Sequence, residues 1–215
     1  MLALLALVLS VLLALFYFRF LAKPASHRRA VLKTAPVLLL AVYAMVAGGP
    51  AWLATALLLG ALGDFCLAHD GERAFMAGLV AFLLSHLAYV MLFWPMADPG
   101  VISGEVRRLA GAGLLAVLVP VLILVLRRPA GPLALPVAVY GLVIGGMGLT
   151  ALAVTDVAVF VGAALFLSSD TALAVEKFLV ASGTRTSRVL RNVVWASYYT
   201  AQLVFTLAIV GLPSA

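Results

Sequence analysis

Long apolar segments separated by short polar breaks make up most of the chain. A helix that crosses a membrane needs about 20 apolar residues, because each residue adds about 1.5 Å along the helix axis. Eight segments approach this length, so we predict an all-α transmembrane bundle of eight helices. The predicted spans cover residues 2–21, 31–47, 51–68, 74–96, 109–126, 133–154, 156–178 and 192–212.

The segments differ in their breaks and in their content of small residues. The stretch 97–108, which contains Asp98-Pro99-Gly100, is the clearest interruption of the apolar pattern. Pro120 is expected to kink the fifth span. The sixth span is rich in glycine, which predicts a helix that packs closely against a neighbour in lipid. A basic loop is expected before the last span, with Arg185, Arg188 and Arg191.

Composition supports the membrane assignment. Hydrophobic residues make up 66% of the chain and charged residues 10%, whereas roughly a quarter of a soluble domain is charged. The length suits a single transmembrane domain over residues 1–215. The single cysteine, Cys66, excludes a disulfide framework within the chain. No phosphate-binding loop or zinc-ligand spacing is present, so we expect no metal and no cofactor.

The net charge of +6 is best explained by the membrane rather than by nucleic acid, because the basic residues lie between spans. With both termini outside, almost all of them fall on the cytoplasmic side, and only Arg107 and Arg108 fall outside. The charges near the first span follow it, so we interpret this segment as a retained span rather than a signal peptide. The cytoplasmic residues are Lys23, Arg28, Arg29, Lys33, Arg73, Arg127, Arg128, Lys177, Arg185, Arg188 and Arg191.

Two aspartates interrupt spans that are otherwise apolar. An ionisable side chain at membrane depth costs a few kcal/mol, about 3 on insertion scales, so it is retained where it pairs or does chemistry. Asp64 and Asp170 share the pattern Asp-x-x-Leu-Ala, which indicates two candidate half-repeats, 1–96 and 109–215, related as a parallel repeat. The alternative is a chance match, with each aspartate holding helices together through Lys33, a serine or a tyrosine.

Five further polar side chains lie in or beside the spans. Lys33 begins the second span, and the aspartates lie about 10 Å deeper by helix rise. This gradient matches a single-chain amphiphile, with its phosphate at Lys33, its polar linkage at the carboxylates and its tail beyond them. The alternative is that these side chains only join helices, or in the case of Lys33 reach the interface. The other four are His86, Tyr89, Tyr199 and Gln202.

Several segments carry a resemblance to a known family. They are KTAP at 33–36, LGALGDFCL at 59–67, FMAGLVAFLLSHLAY at 75–89, GAALFLSSD at 162–170 and YYTAQ at 198–202. In this order they resemble the YhhN family, the lysoplasmalogenase family of small integral membrane proteins. The resemblance runs from about the second span to the last. Lys33, Asp64, His86, Asp170, Tyr199 and Gln202 fall on the family's pattern, although many relatives have proline directly after the lysine.

The resemblance implies a hydrolase without a known metal requirement. It would cleave the vinyl ether of a lysoplasmalogen, or of a related lysolipid, to a fatty aldehyde and glycerophosphocholine or glycerophosphoethanolamine. Asp64, Asp170 and His86 are then the expected catalytic residues, and Lys33, Tyr199, Gln202 and Tyr89 the expected substrate-binding residues. The expected partners are a lysophospholipid and the bilayer of the cell membrane, with no nucleic acid. Alternatives are a small membrane transporter with buried carboxylates and a structural membrane protein.

Overall fold

The computed structural model describes residues 1–211, and within them the regular secondary structure is helical. The α-helices, in chain order, are α1 (Leu2–Tyr17), α2 (His27–Val46), α3 (Ala51–Leu67), α4 (Glu72–Phe93), α5 (Pro99–Gly104), α6 (Val106–Leu126), α7 (Ala134–Leu152), α8 (Val157–Leu179) and α9 (Arg185–Val210). Three short 3₁₀ turns extend or precede helices, at Phe18–Phe20, Trp94–Met96 and Gly131–Leu133. The all-α prediction is confirmed.

The predicted spans correspond closely to these helices. Seven of the described helices are long and apolar enough to cross a membrane. The remaining predicted span, the third, corresponds to α3, an apolar helix of 17 residues, at the short end of the range for membrane crossing. The count of eight is therefore approximately right. The predicted end of the last span, at residue 212, lies outside the described residues.

The start of the last helix is a correction. Arg185, Arg188 and Arg191 were expected in a loop, but α9 begins at Arg185 and runs for 26 residues. Thr184 caps this start, because its hydroxyl oxygen accepts the backbone N–H of Ser187 at 3.1 Å. A helix can continue past the apolar region into water, so basic residues do not mark its end.

Contacts divide the chain into two compact units. The first contains residues 1–92 together with those from 202 onward, and the second contains residues 93–201. Helix α9 therefore contributes its first part to the second unit and its last part to the first. The two units are defined by spatial contacts and not by a comparison of the two halves of the sequence. They therefore do not test the half-repeats, which remain a prediction.

In the first unit, α2 packs between α1 and α3. The Ser10 hydroxyl on α1 donates to the backbone oxygen of Pro36 on α2 at 2.7 Å. Helices α3 and α4 approach closely where one of them has a glycine. A Cβ on Gly63 would lie 2.6 Å from the Phe82 ring, and one on Gly78 would lie 2.7 Å from Leu67. Asp64 directly follows Gly63, the first of these two glycines.

In the second unit, α7 packs against α6 and α8. As its glycine content predicted, α7 approaches α6 closely: a Cβ on Gly145 would lie 3.1 Å from Val119, and one on Gly148 would lie 3.1 Å from Leu115. Helix α8 begins at the residue after Asp156, whose carboxylate accepts the N–H of Ala158 at 2.8 Å. The Asp156 side chain therefore caps the start of α8.

Arg108 has a structural role that the sequence did not suggest. Its side chain is 2% exposed and donates to the backbone oxygens of Leu152, Val154 and Thr155 at 2.8, 2.5 and 2.8 Å. The backbone oxygens at the end of a helix lack partners within that helix. Arg108 supplies these partners at the end of α7. This internal contact gives a reason why Arg108 departs from the predicted cytoplasmic set of basic residues.

Candidate active site

Helical spacing explains how Asp64 and Lys33 come together in the first unit. Helix α2 buries Ala30, Val37, Leu40, Ala41 and Ala44, and Lys33 falls on the same face at intervals of three and four residues. The buried face of α3 ends with Gly60, Ala61, Gly63 and Asp64. Because α2 packs on α3, the two ionisable side chains meet.

Lys33 and Asp64 form an ion pair. The Nζ atom of Lys33 lies 3.3 Å from Oδ1 of Asp64, and the side chains are 14% and 1% exposed. The lysine side chain is therefore largely enclosed by the helices. An opposite charge at this distance offsets much of the cost of burying the carboxylate. This contact is the one expected if Asp64 joins helices.

Asp170 has a different partner in the second unit. It lies four residues after the buried Phe166 on α8 and is only partly buried. The Tyr140 hydroxyl on α7 donates to its Oδ2 atom at 2.6 Å. Tyr140 in turn lies one helical turn before the buried Ile144, so the two polar groups continue the packed faces of α7 and α8.

A small apolar crevice contains this pair. It has a volume of about 50 Å³, which is enough for a water molecule or a small reacting group. Tyr140 and Asp170 are its only ionisable lining residues, and within the part of the chain that is described no lysine or arginine lines it. The other lining residues are Val119, Leu122, Ile123, Leu126, Val137, Gly141, Ile144, Leu167, Thr171 and Ala174.

Two of the other predicted site residues contact each other in the first unit. The Tyr89 hydroxyl donates to the side-chain oxygen of Gln202, and both side chains are fully buried. The Tyr89 ring also packs on Phe205, with 4.6 Å between ring centroids. His86 is fully buried as well, with Nδ1 2.6 Å from the backbone oxygen of Phe82. The Tyr89 contact joins α4 to α9, and the His86 contact lies within α4.

Tyr199 lies in the second unit on α9 and is 8% exposed. Its ring stacks on Trp195 at 6.0 Å and an interplanar angle of 25°. The neighbouring Tyr198 packs edge-on against Phe166 of α8, at 5.4 Å. These aromatic contacts place one face of α9 against Phe166, which lies one helical turn before Asp170 on α8.

Tyr140 is the residue that sequence reasoning missed. It lies among the glycines of the sixth predicted span, and that span was interpreted only as a packing helix. The signal was available, because a hydroxyl-bearing side chain in an apolar span needs a hydrogen-bond partner when it is buried. Which helix would supply the partner could not be read from the sequence.

The fold and the two carboxylates define a class, a polytopic helical membrane protein with one aspartate in α3 of the first unit and one in α8 of the second. The sequence profile of the YhhN family matches residues 28–209, and the chain belongs to this family. The resemblance noted from the five segments is thereby confirmed.

The relatives carry consistent names. The chain is similar to the lysoplasmalogenase of Mycobacterium bovis, with 34% identity over 164 residues, 72% of this chain and 59% of the relative. It is also similar to human lysoplasmalogenase TMEM86B, with 35% identity over 191 residues, 86% of this chain and 76% of the relative. The chain thus spans about three-fifths of the mycobacterial relative's length. No solved structure gives a significant match.

Proposed function

We propose that this protein hydrolyses the vinyl ether bond of lysoplasmalogens, or of closely related lysolipids, within the membrane. The observation that carries the proposal is the pair of intramembrane carboxylates with partners of different kinds, Lys33 beside Asp64 and Tyr140 beside Asp170. Family membership and the name lysoplasmalogenase among the relatives support it. The products would be a fatty aldehyde and a glycerophospho-alcohol.

The chemistry of the bond explains why two carboxyl groups are needed. A vinyl ether is hydrolysed by slow protonation of the carbon β to oxygen, which leaves an oxocarbenium ion. Water then adds to the carbon next to oxygen and loses a proton, and the hemiacetal breaks to aldehyde and alcohol. An enzyme must supply one protonated acid and one anion, as glycosidases do around their oxocarbenium-like transition state.

We assign the acid to Asp170. Apolar side chains line its crevice around the Tyr140 hydroxyl, which donates to the carboxyl group, and a low-polarity setting favours the neutral form of a carboxyl group. With Oδ2 accepting from Tyr140, the transferable proton is assigned to Oδ1. After the proton has gone to carbon, the same Tyr140 bond stabilises the new carboxylate, because hydrogen bonds to charged groups are the stronger kind.

We assign the anion to Asp64. The ammonium of Lys33 at 3.3 Å favours its charged form. Its roles in the proposal are to stabilise the oxocarbenium ion and to accept the proton of the attacking water. In the structure the ammonium of Lys33 contacts the Asp64 carboxylate. The phosphate-binding role expected for Lys33 therefore stays a prediction. The roles expected for His86, Tyr89, Tyr199 and Gln202 also stay predictions.

The direct test is aldehyde release from a defined lysoplasmalogen by the purified protein in detergent. We expect aldehyde and the matching glycerophospho-alcohol in equal amounts, and no release by Asp170→Asn. Wild-type protein that elutes as an intact species on gel filtration yet releases no aldehyde would overturn the proposal. That result would favour the alternative function of a membrane transporter.

The proposed orientation, with both termini outside and the basic loops cytoplasmic, needs a separate test. A cysteine placed before Leu2 should react with an impermeant reagent on intact cells, in a protein whose Cys66 is replaced by Ser. Labelling only after lysis would reverse the orientation.

A further inference from the structure

The lipid-facing side of α3 and α4 carries a groove that the proposed reaction does not use. Its volume is about 500 Å³, and seven of its eight lining residues are apolar. The eighth is Arg73, in the first turn of α4. The apolar lining residues are Leu59, Leu62, Met76, Ala77, Val80, Ala81 and Leu84.

The groove follows from the way the two helices pack. Gly63 and Gly78 let α3 and α4 approach closely on their packed faces, and Ala77 and Ala81 leave a shallow floor beside that contact. Leu62, Val80 and Leu84 form the walls and are 51%, 49% and 43% exposed. Asp64 lies on the buried side of α3, so the groove is separate from the ion pair.

The length of the groove matches one leaflet of a membrane. From Arg73 to Leu84 the lining residues of α4 recur at intervals of three and four residues, which places them on one continuous stripe. The stripe extends over about 16 Å by helix rise. Half of a typical hydrocarbon core, which is about 30 Å thick, has nearly the same length.

Arg73 gives one end of the groove a positive charge. Within the described residues it makes no ion pair, although two exposed carboxylates, Asp70 and Glu72, are near it in the sequence. The first turn of a helix also presents backbone N–H groups, which favour an anion. Arginine binds phosphate oxygens through two parallel hydrogen bonds.

We propose that this groove, named here the Arg73 groove, binds one acyl chain of an anionic phospholipid whose phosphate contacts Arg73. The occupant is a lipid of the surrounding leaflet rather than the substrate. Its chain fills the groove between Leu62 and Leu84, and its headgroup lies at the first turn of α4. The site therefore selects for anionic lipid next to the helix that carries Asp64.

The test is native mass spectrometry of protein reconstituted in bilayers of phosphatidylcholine with a minor share of phosphatidylglycerol of the same chains. We expect the wild type to retain phosphatidylglycerol selectively. Arg73→Gln should reduce that retention about fivefold, which is the typical contribution of one arginine near an anionic surface. Arg128→Gln is the matched control, because Arg128 is exposed in the turn after α6, on the same predicted side, and does not line the groove.

A second pair of variants tests the apolar part. Ala77→Trp fills the floor of the groove and should reduce retention of both lipids, whereas Ala116→Trp, at an exposed position of α6, should not. Retention that is unchanged in Arg73→Gln and in Ala77→Trp overturns the site. Equal losses in Arg73→Gln and Arg128→Gln would mean general surface attraction and would also overturn it. Neither readout depends on the hydrolase activity.

Discussion

Asp64 and Asp170 share one sequence pattern but lie in contrasting surroundings. Asp64 is 1% exposed and paired with a lysine of the preceding helix. Asp170 is partly exposed to a small apolar crevice and accepts a hydrogen bond from a tyrosine. The local sequence places both carboxylates on packed helix faces, while the neighbouring helix supplies either a cation or a hydroxyl. The partner, rather than the pattern, therefore decides what each carboxylate can do.

The largest expected effects come from removing the carboxylates themselves. Asp170→Asn and Asp64→Asn should each lower kcat by at least about a hundredfold, which is the usual scale for losing acid–base help. Aldehyde release at saturating substrate measures this. Asp70→Asn is the control, since Asp70 is an exposed loop residue. Near-normal turnover in either variant, with an intact gel-filtration profile, would make that aspartate structural.

The two substitutions should differ in their effect on stability. Asp64→Asn leaves the partly enclosed ammonium of Lys33 without its partner, so the melting temperature should fall. Asp170→Asn leaves an amide oxygen that can still accept from Tyr140, so its melting temperature should be close to that of the wild type. A larger fall for Asp170→Asn would reverse the contrast drawn between the two sites.

Removing the cation isolates the first site. Lys33→Met should lower the free energy of unfolding by about 2 kcal/mol, somewhat less than for a fully buried pair, because the lysine side chain is partly exposed. The double variant Lys33→Met/Asp64→Asn should recover part of the loss, since the buried charge is then gone. Additive losses in this cycle, measured by denaturant unfolding, would show that the ion pair contributes nothing.

Removing the hydroxyl isolates the second site. Tyr140→Phe should lower kcat about tenfold with little change in KM, because the lost hydrogen bond stabilises the carboxylate that forms when Asp170 gives up its proton. Steady-state kinetics on the lysoplasmalogen measure both constants. A raised KM at unchanged kcat would instead place Tyr140 in substrate binding, and would argue against Asp170 as the acid.

Much of the fold could be predicted because hydropathy in a membrane protein directly reports helix position. The span limits agree closely except at α9, where Arg185 to Arg191 are helical beyond the apolar segment. Both aspartates were identified as unusual, and Lys33 was named as an alternative partner for them, but Tyr140 was not. The pairing of Lys33 with Asp64 and of Tyr140 with Asp170 depends on which helix faces meet. That information lies in long-range packing, and no local signal in the sequence carries it.

The smallest expected effect concerns a tyrosine with a neutral acceptor. Tyr89 donates to the Gln202 amide oxygen in a fully buried contact, so Tyr89→Phe makes the same chemical change as Tyr140→Phe without touching a carboxylate. It should lower the free energy of unfolding by about 1 kcal/mol, the typical net value of a neutral hydrogen bond, and leave kcat nearly unchanged. Thermal unfolding and steady-state kinetics on both variants make the comparison. If Tyr89→Phe raises KM, Tyr89 has the substrate-binding role expected from the sequence. If Tyr89→Phe lowers kcat as much as Tyr140→Phe does, the result would contradict a specific catalytic role for the Tyr140 hydroxyl beside Asp170. Loss of a buried tyrosine hydroxyl elsewhere would then have the same effect.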